Sequence, residues 1–202
     1  MRKLYDWVLG WAEKPSAHYA LFILALAESS FFPVPPDILL IPLVLGARKK
    51  WFRLALIVTV GSALGGAFGY LIGHLLWWKG GYPHYSSVAH FFFNSIPGFS
   101  ETVFESMKVK YDLYGFWIVF TAGFTPIPYK IFTISSGAFD LNFTTFMIAS
   151  LISRSARFFL VSFLIFRFGE PIKKFIDKYF NWLALLFAFL LIMGFLLIKG
   201  II

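Results

Sequence analysis

The sequence predicts an all-α polytopic membrane protein. Its architecture is an inverted repeat of re-entrant hairpin plus transmembrane helix, with interfacial amphipathic helices and a C-terminal span. Three observations carry this. The 202 residues are 59% hydrophobic and only 14% charged, against about 25% charged in ordinary soluble domains, and mean hydropathy is +0.76. Two proline breaks with nearby charge interrupt apolar stretches, at Glu28 to Asp37 and at Gly123 to Lys130. Pro33-x-Pro35 recurs as Pro126-x-Pro128, and Ser62 and Gly66 of the span after the first break align with Ser153 and Arg157 after the second. Broken apolar segments in corresponding places mark transporters built from repeats.

The elements follow in order within one membrane domain, 1–202. Residues 3–14 place Leu4, Trp7, Val8 and Trp11 on one face, an interfacial helix. Residues 17–47 are apolar but broken at Pro33, Pro35 and Pro36. The arms, about 16 and about 11 residues, reach about 24 Å and about 17 Å as helix. Neither crosses a core of about 30 Å, which predicts a re-entrant hairpin rather than one kinked span. Residues 54–78 are a full span, with Gly61, Gly65, Gly69 and Gly73 at every fourth position. Such a stripe lets helices approach closely, within the chain, in a homo-oligomer, or both.

Residues 79–113 read as a polar loop with a short interfacial helix. Residues 114–139 repeat the broken pattern, with Thr125, Pro126 and Pro128 at the tip, to match Pro33, Pro35 and Pro36 at the first. A second full span covers 143–166, an interfacial helix 170–180 and a last span 182–198. With the N-terminus cytoplasmic, the inside loops and termini collect Arg2, Lys3, Lys14, Arg48, Lys49, Lys50, Arg53, Arg167, Lys173, Lys174 and Lys178. The outside keeps Lys79, Lys108, Lys110 and Lys199, in line with the positive-inside rule. The net charge of +8 is thereby a topology signal, and no nucleic-acid motif accompanies it.

Five ionisable side chains lie within the membrane segments near the breaks or mid-span: Glu28, Asp37, Lys130, Arg154 and Arg157. Each Arg, Lys or Asp at a helix centre costs about 2.5–3.5 kcal/mol on insertion scales, so they are expected to pair, to function, or both. Arg154 and Arg157 share a helix face. Each hairpin's second arm starts at its tip, turning the positive end of its dipole inward. Together with Lys130, Arg154 and Arg157 this favours an anionic substrate, and arginine matches phosphate bidentately. Glu28 and Asp37 are expected to pair with these cations at rest, and to gate the site or couple it to protons. Purely structural ion pairs are the alternative.

Enzyme chemistry has little support. No Walker loop, HExxH or Ser-His-Asp spacing is present, and with no cysteine there is no thiol or Cys-ligated metal chemistry. No cofactor is expected. His84 and His90 lack the partners of a metal site. His74, in the glycine-rich span, reads as a hydrogen-bonded core residue before a proton relay.

Several of these runs together resemble the DedA family, also called the VTT or SNARE-associated membrane domain, most closely its YqaA-like branch. They are the Glu28 to Asp37 segment, GSALGGAFGYLIG at 61–73, Tyr114-Gly115, GFTPIPYK at 123–130, SGAFDLNF at 136–143 and SRSARFF at 153–159. The resemblance spans roughly residues 17–168. It implies paired re-entrant hairpins and lipid transport in the bacterial inner membrane, with polyprenyl phosphate or a related anionic phospholipid as partner. Eukaryotic relatives of the family are lipid scramblases. Its acidic pair maps onto Glu28 and Asp37. Where many members have two arginines around the second proline motif, this chain has Thr125 and Lys130, and Arg154 and Arg157 are placed to compensate. The expected function is translocation of an anionic lipid, with a proton-coupled small-ion carrier and a non-selective scramblase as alternatives.

Overall fold

A computed structural model describes residues 16–169 and 171, apart from 82, 97–99 and 126. The expected interfacial helix 3–14 and span 182–198 lie outside the described residues, as does the helix 170–180 except for Pro171. The described residues are helical throughout, and their one β feature is an isolated bridge between Trp78 and Tyr85.

Prolines and small polar caps set the helix ends. Helix α1, Ala17–Ser30, stops just before Pro33, because residues ahead of proline are pushed out of helical geometry. Helix α2, Asp37–Gly46, starts on Pro36 and has Asp37 in its first turn, where a carboxylate suits the helix dipole. It also contains Pro42. A 3-10 turn, Arg48–Lys50, leads into α3, Trp51–Trp77. Helix α4, Ser87–Ser95, is capped by Ser86, whose hydroxyl accepts from the Ala89 N–H. Helix α5, Glu101–Phe124, is capped by Ser100 and ends at the second proline break. Helix α6 is Tyr129–Ala138. Helix α7, Phe143–Gly169, follows a turn in which Asp140 has φ +55° and Asn142 Oδ1 accepts from the Thr145 N–H at 3.1 Å.

The span Arg48–Trp77 and α7 are long and apolar enough to cross a membrane. Their exposure is inverted relative to a soluble helix. Phe52, Leu56, Val60, Leu64, Phe68, Leu71 and Leu75 form an exposed stripe along α3, while Gly61, Ser62, Gly65, Gly69 and Gly73 are buried. On α7, Ile148, Ile152, Leu160 and Leu164 are exposed, while Ser150, Ser153, Arg154 and Ser162 are buried. Large apolar groups outside and polar groups inside is the distribution that hydrocarbon selects.

The glycines set how the helices run. A Cβ at Gly61 would meet the Phe22 carbonyl at 2.7 Å, and one at Gly65 the Leu26 carbonyl at 2.1 Å. Numbers rise together, so α1 runs parallel to α3. Gly66 faces Tyr129, Gly69 faces Thr133, and a Cβ at Gly73 would meet the Ile134 carbonyl at 1.9 Å, so α6 also runs parallel to α3. Ser62 meets Arg154 and Tyr70 meets Phe146, which makes α3 and α7 antiparallel. Helix α5 follows α7 in parallel, Gly115 against Leu141 and Gly123 against Ser153. The glycine stripe, left open between internal and intermolecular use, packs within the chain.

The main difference from expectation lies between residues 79 and 124. The boundary expected at 114 falls inside α5, one continuous helix of 24 residues. The polar pattern of residues 101–113 hid this, because Phe104, Met107 and Tyr111 pack inward while charged residues lie between them. Phe104 is fully buried among Trp77, Trp78, Tyr85, Phe93 and Phe139, and its ring lies 5.1 Å from that of Trp77. Helix α4 was not foreseen either; its Phe93 joins this aromatic cluster.

A single hydroxyl ties α1 to α6. Thr133 Oγ1 donates to the Ser29 carbonyl at 2.9 Å and is wholly buried. Thr133→Val is expected to lower stability by about 0.5–2 kcal/mol, the range for hydrogen bonds between membrane helices. Unfolding in mixed micelles measures it, and no loss at all would mean that the contact is not formed.

Candidate functional site

The two proline breaks and the middle of α7 come together. Helix α7 carries both arginines, and each reaches an acidic residue at the first break. Arg154 Nη2 donates to Glu28 Oε2 at 2.8 Å, at the end of α1. Arg157 Nη2 donates to Asp37 Oδ2 at 2.7 Å, at the start of α2. The three-residue spacing puts both arginines on one face of α7, and the break between α1 and α2 presents both carboxylates to it.

The Glu28–Arg154 pair is the more enclosed of the two, its side chains 12% and 3% exposed. Arg154 Nε also donates to Ser62 Oγ at 2.7 Å, and Ser29 Oγ donates to the same Glu28 oxygen at 3.1 Å. The Ser29 and Ser62 hydroxyls are 2.7 Å apart. The guanidinium carbon lies 4.7 Å from the Tyr129 ring centre and 4.6 Å from that of Phe158, so the cation is held between two aromatic rings. Tyr129 is anchored in turn by a hydrogen bond to Ser150.

The Arg157–Asp37 pair has a different environment. Arg157 Nη1 donates to the Thr125 carbonyl at 2.6 Å, so one side chain joins the first break to the second. Its Nε and Asp37 Oδ1 are buried without a hydrogen-bond partner. Lys130 sits half-buried in the first turn of α6, and among the described residues its ammonium is in no ion pair. The cation that meets Asp37 is Arg157, because α7 brings its long, forked side chain to the carboxylate. Pro33, Pro35, Pro36, Thr125 and Pro128 shape the two breaks, and Pro126 lies outside the described residues.

Several residues of this network were not singled out from the sequence. Ser29, Tyr129 and Phe158 read as ordinary members of apolar or small-residue runs. Phe158 is four residues after Arg154, the spacing that puts a ring on a cation within one helix, and this was the available signal. His74 lies away from the arginines, its Nδ1 3.2 Å from Asp140 Oδ1, with both side chains about one-third exposed.

The family model of the VTT domain matches residues 34–167. An uncharacterized protein of Haemophilus influenzae is 32% identical over 169 residues, 83% of this chain and 81% of its own length. A Histophilus somni protein named as an uncharacterized HI0703 homolog is 32% identical over 170 residues, 80% of this chain and 78% of its own. No solved structure matches. The matched segment runs from the first proline break to near the end of α7 and includes Asp37, Lys130, Arg154 and Arg157; the chain therefore belongs to the VTT domain, or DedA, family of membrane proteins.

Proposed function

We propose that this protein moves an anionic, phosphate-bearing lipid of the polyprenyl phosphate kind across the membrane. The observation that carries the reading is a pair of arginines on one face of α7, one buried and one part-buried, each answered by a carboxylate from the first proline break. Two cations within an apolar helix are costly, and guanidinium groups fit phosphate. The acyl chains stay in lipid, so only the head group needs a polar path between the breaks. In this reading Lys130, Arg154 and Arg157 supply the positive charge, and Glu28 and Asp37 gate the path or carry protons.

The two breaks are re-entrant hairpins in this proposal, and α1–α3 and α5–α7 are inverted copies. The antiparallel course of α3 and α7, with α1 and α5 each parallel to the long helix of its own half, supports that reading. The protein would sit in the bacterial inner membrane, multi-pass, with the N-terminus cytoplasmic.

The test is head-group translocation in proteoliposomes, with polyprenyl phosphate and a neutral lipid of matched chain. Wild type is expected to move the phosphate lipid selectively, and Arg157→Ala and Glu28→Gln to slow it by about tenfold or more, the scale on which one lost charge-assisted contact acts. Equal movement of both lipids would make the protein a non-selective scramblase. Movement of inorganic anions alone, coupled to protons, would make it a small-ion carrier.

A further inference from the structure

We propose that the two ion pairs have separate jobs: Arg157 exchanges Asp37 for the phosphate of the substrate, while Glu28–Arg154 stays closed and positions α7. This rests on the reading above and narrows it: the binding and gating step falls to Arg157 and Asp37, and Glu28 and Arg154 leave the substrate path.

The asymmetry begins with how each guanidinium edge is used. Nε and Nη2 of an arginine share one edge, and that edge accepts two oxygens of a phosphate or carboxylate side by side. In Arg154 both positions are taken, Nε by Ser62 and Nη2 by Glu28. Two rings cover its faces, and the side chain is 3% exposed. Any incoming anion would have to break two hydrogen bonds and separate two aromatic stacks to reach it.

Arg157 uses half of the same edge. Nη2 holds Asp37 Oδ2, whereas Nε and Asp37 Oδ1 are both buried without a partner. Buried polar atoms are almost always satisfied, so this edge is matched to a second acceptor oxygen. A phosphate supplies two. It would displace the single Asp37 contact, take Nε and Nη2 together, and leave Nη1 on the Thr125 carbonyl. The pair is also the more accessible one, with side chains 17% and 18% exposed.

Asp37 is suited to letting go. It stands in the first turn of α2, so its charge still faces the positive end of that helix's dipole after Arg157 leaves. Glu28 is in the last turn of α1, where the dipole disfavours a carboxylate, and it depends on Arg154 and Ser29. The acid that the fold supports independently is the one paired with the half-used arginine.

The experiment measures binding and stability on the full-length protein in detergent, with polyprenyl phosphate and with inorganic phosphate as probes. Variants are Asp37→Asn, Glu28→Gln and Arg157→Lys. Asp37→Asn removes the competitor and is expected to bind phosphate lipid about tenfold more tightly, with the smaller fall in Tm of the two neutralised acids; Arg157→Lys, without the fork, is expected to bind about tenfold more weakly. Glu28→Gln is expected to show the larger fall in Tm and no gain in affinity. A gain in Glu28→Gln but not in Asp37→Asn, or weaker binding in both, overturns this inference while leaving lipid transport standing. A wild type that binds inorganic phosphate as well as the lipid supports the exchange and moves the substrate class to small anions. A wild type that binds neither probe overturns the proposed function and the exchange with it.

Discussion

Replacing Arg154 by alanine is expected to lower the unfolding free energy by about 3–5 kcal/mol, the cost of leaving one member of a buried pair without its partner. The geometry accounts for a value this large. Removing the guanidinium strands Glu28, breaks the bond to Ser62 and leaves a gap between Tyr129 and Phe158. The same contacts link α1, α3, α6 and α7, so the loss reaches every helix around the centre. Equilibrium unfolding in mixed micelles measures it. The double variant with Glu28→Ala is expected to recover part of the loss, because no charge is then left unpaired. A cost below about 1 kcal/mol, the range of an exposed pair, would show that water reaches this site.

Gly65→Leu and Gly73→Leu are expected to be the most damaging changes on α3. At Gly65 a Cβ would stand 2.1 Å from the Leu26 carbonyl oxygen, and at Gly73 1.9 Å from that of Ile134. Both obstacles are backbone, so no rotamer change relieves them and the helices must separate. Overpacking costs about 1–3 kcal/mol where side chains can adjust, and more where they cannot. Separation would also weaken the Thr133 bond to the Ser29 carbonyl. Gly46→Ala serves as control, since nothing lies within 4 Å of its Cβ position. Folded protein after detergent extraction, followed by Tm, is the measurement. A Gly65→Leu protein as stable as Gly46→Ala would show that α1 does not lie against α3.

The main helices were legible because hydrocarbon imposes simple rules. Long apolar runs and proline breaks placed α1, α2, α3, α6 and α7 within a few residues, and the glycine spacing located the close-packed face. The continuous helix α5 was not legible. Its first half carries Glu101, Glu105, Lys108, Lys110 and Asp112, which read as a polar loop with a short interfacial helix, so its continuity with the apolar half past residue 114 was hidden. Of the site, the five charges stood out because each is out of place in an apolar segment. Which cation meets which acid did not, since only the course of α7 past the first break brings Arg154 to Glu28 and Arg157 to Asp37. The serine and aromatic surroundings of Arg154 were equally hidden, because such residues look alike in a core and at a charge.

Pro42 has a consequence for how the molecule yields. Within α2 it cannot return the usual backbone bond to the Ile38 carbonyl, and a helix this short already leaves its last four carbonyls without helical donors. The element bearing Asp37 thus has little internal cohesion of its own, while α1, with Glu28, is locked to α3 through glycine contacts. Rearranging the first break should therefore meet little elastic resistance from the backbone of α2. The activation barrier would reside in the Arg157 contact and in the packing of Leu39, Leu40, Leu43 and Val44 in the core, so the rate of opening would be governed by side-chain contacts rather than by melting of a helix.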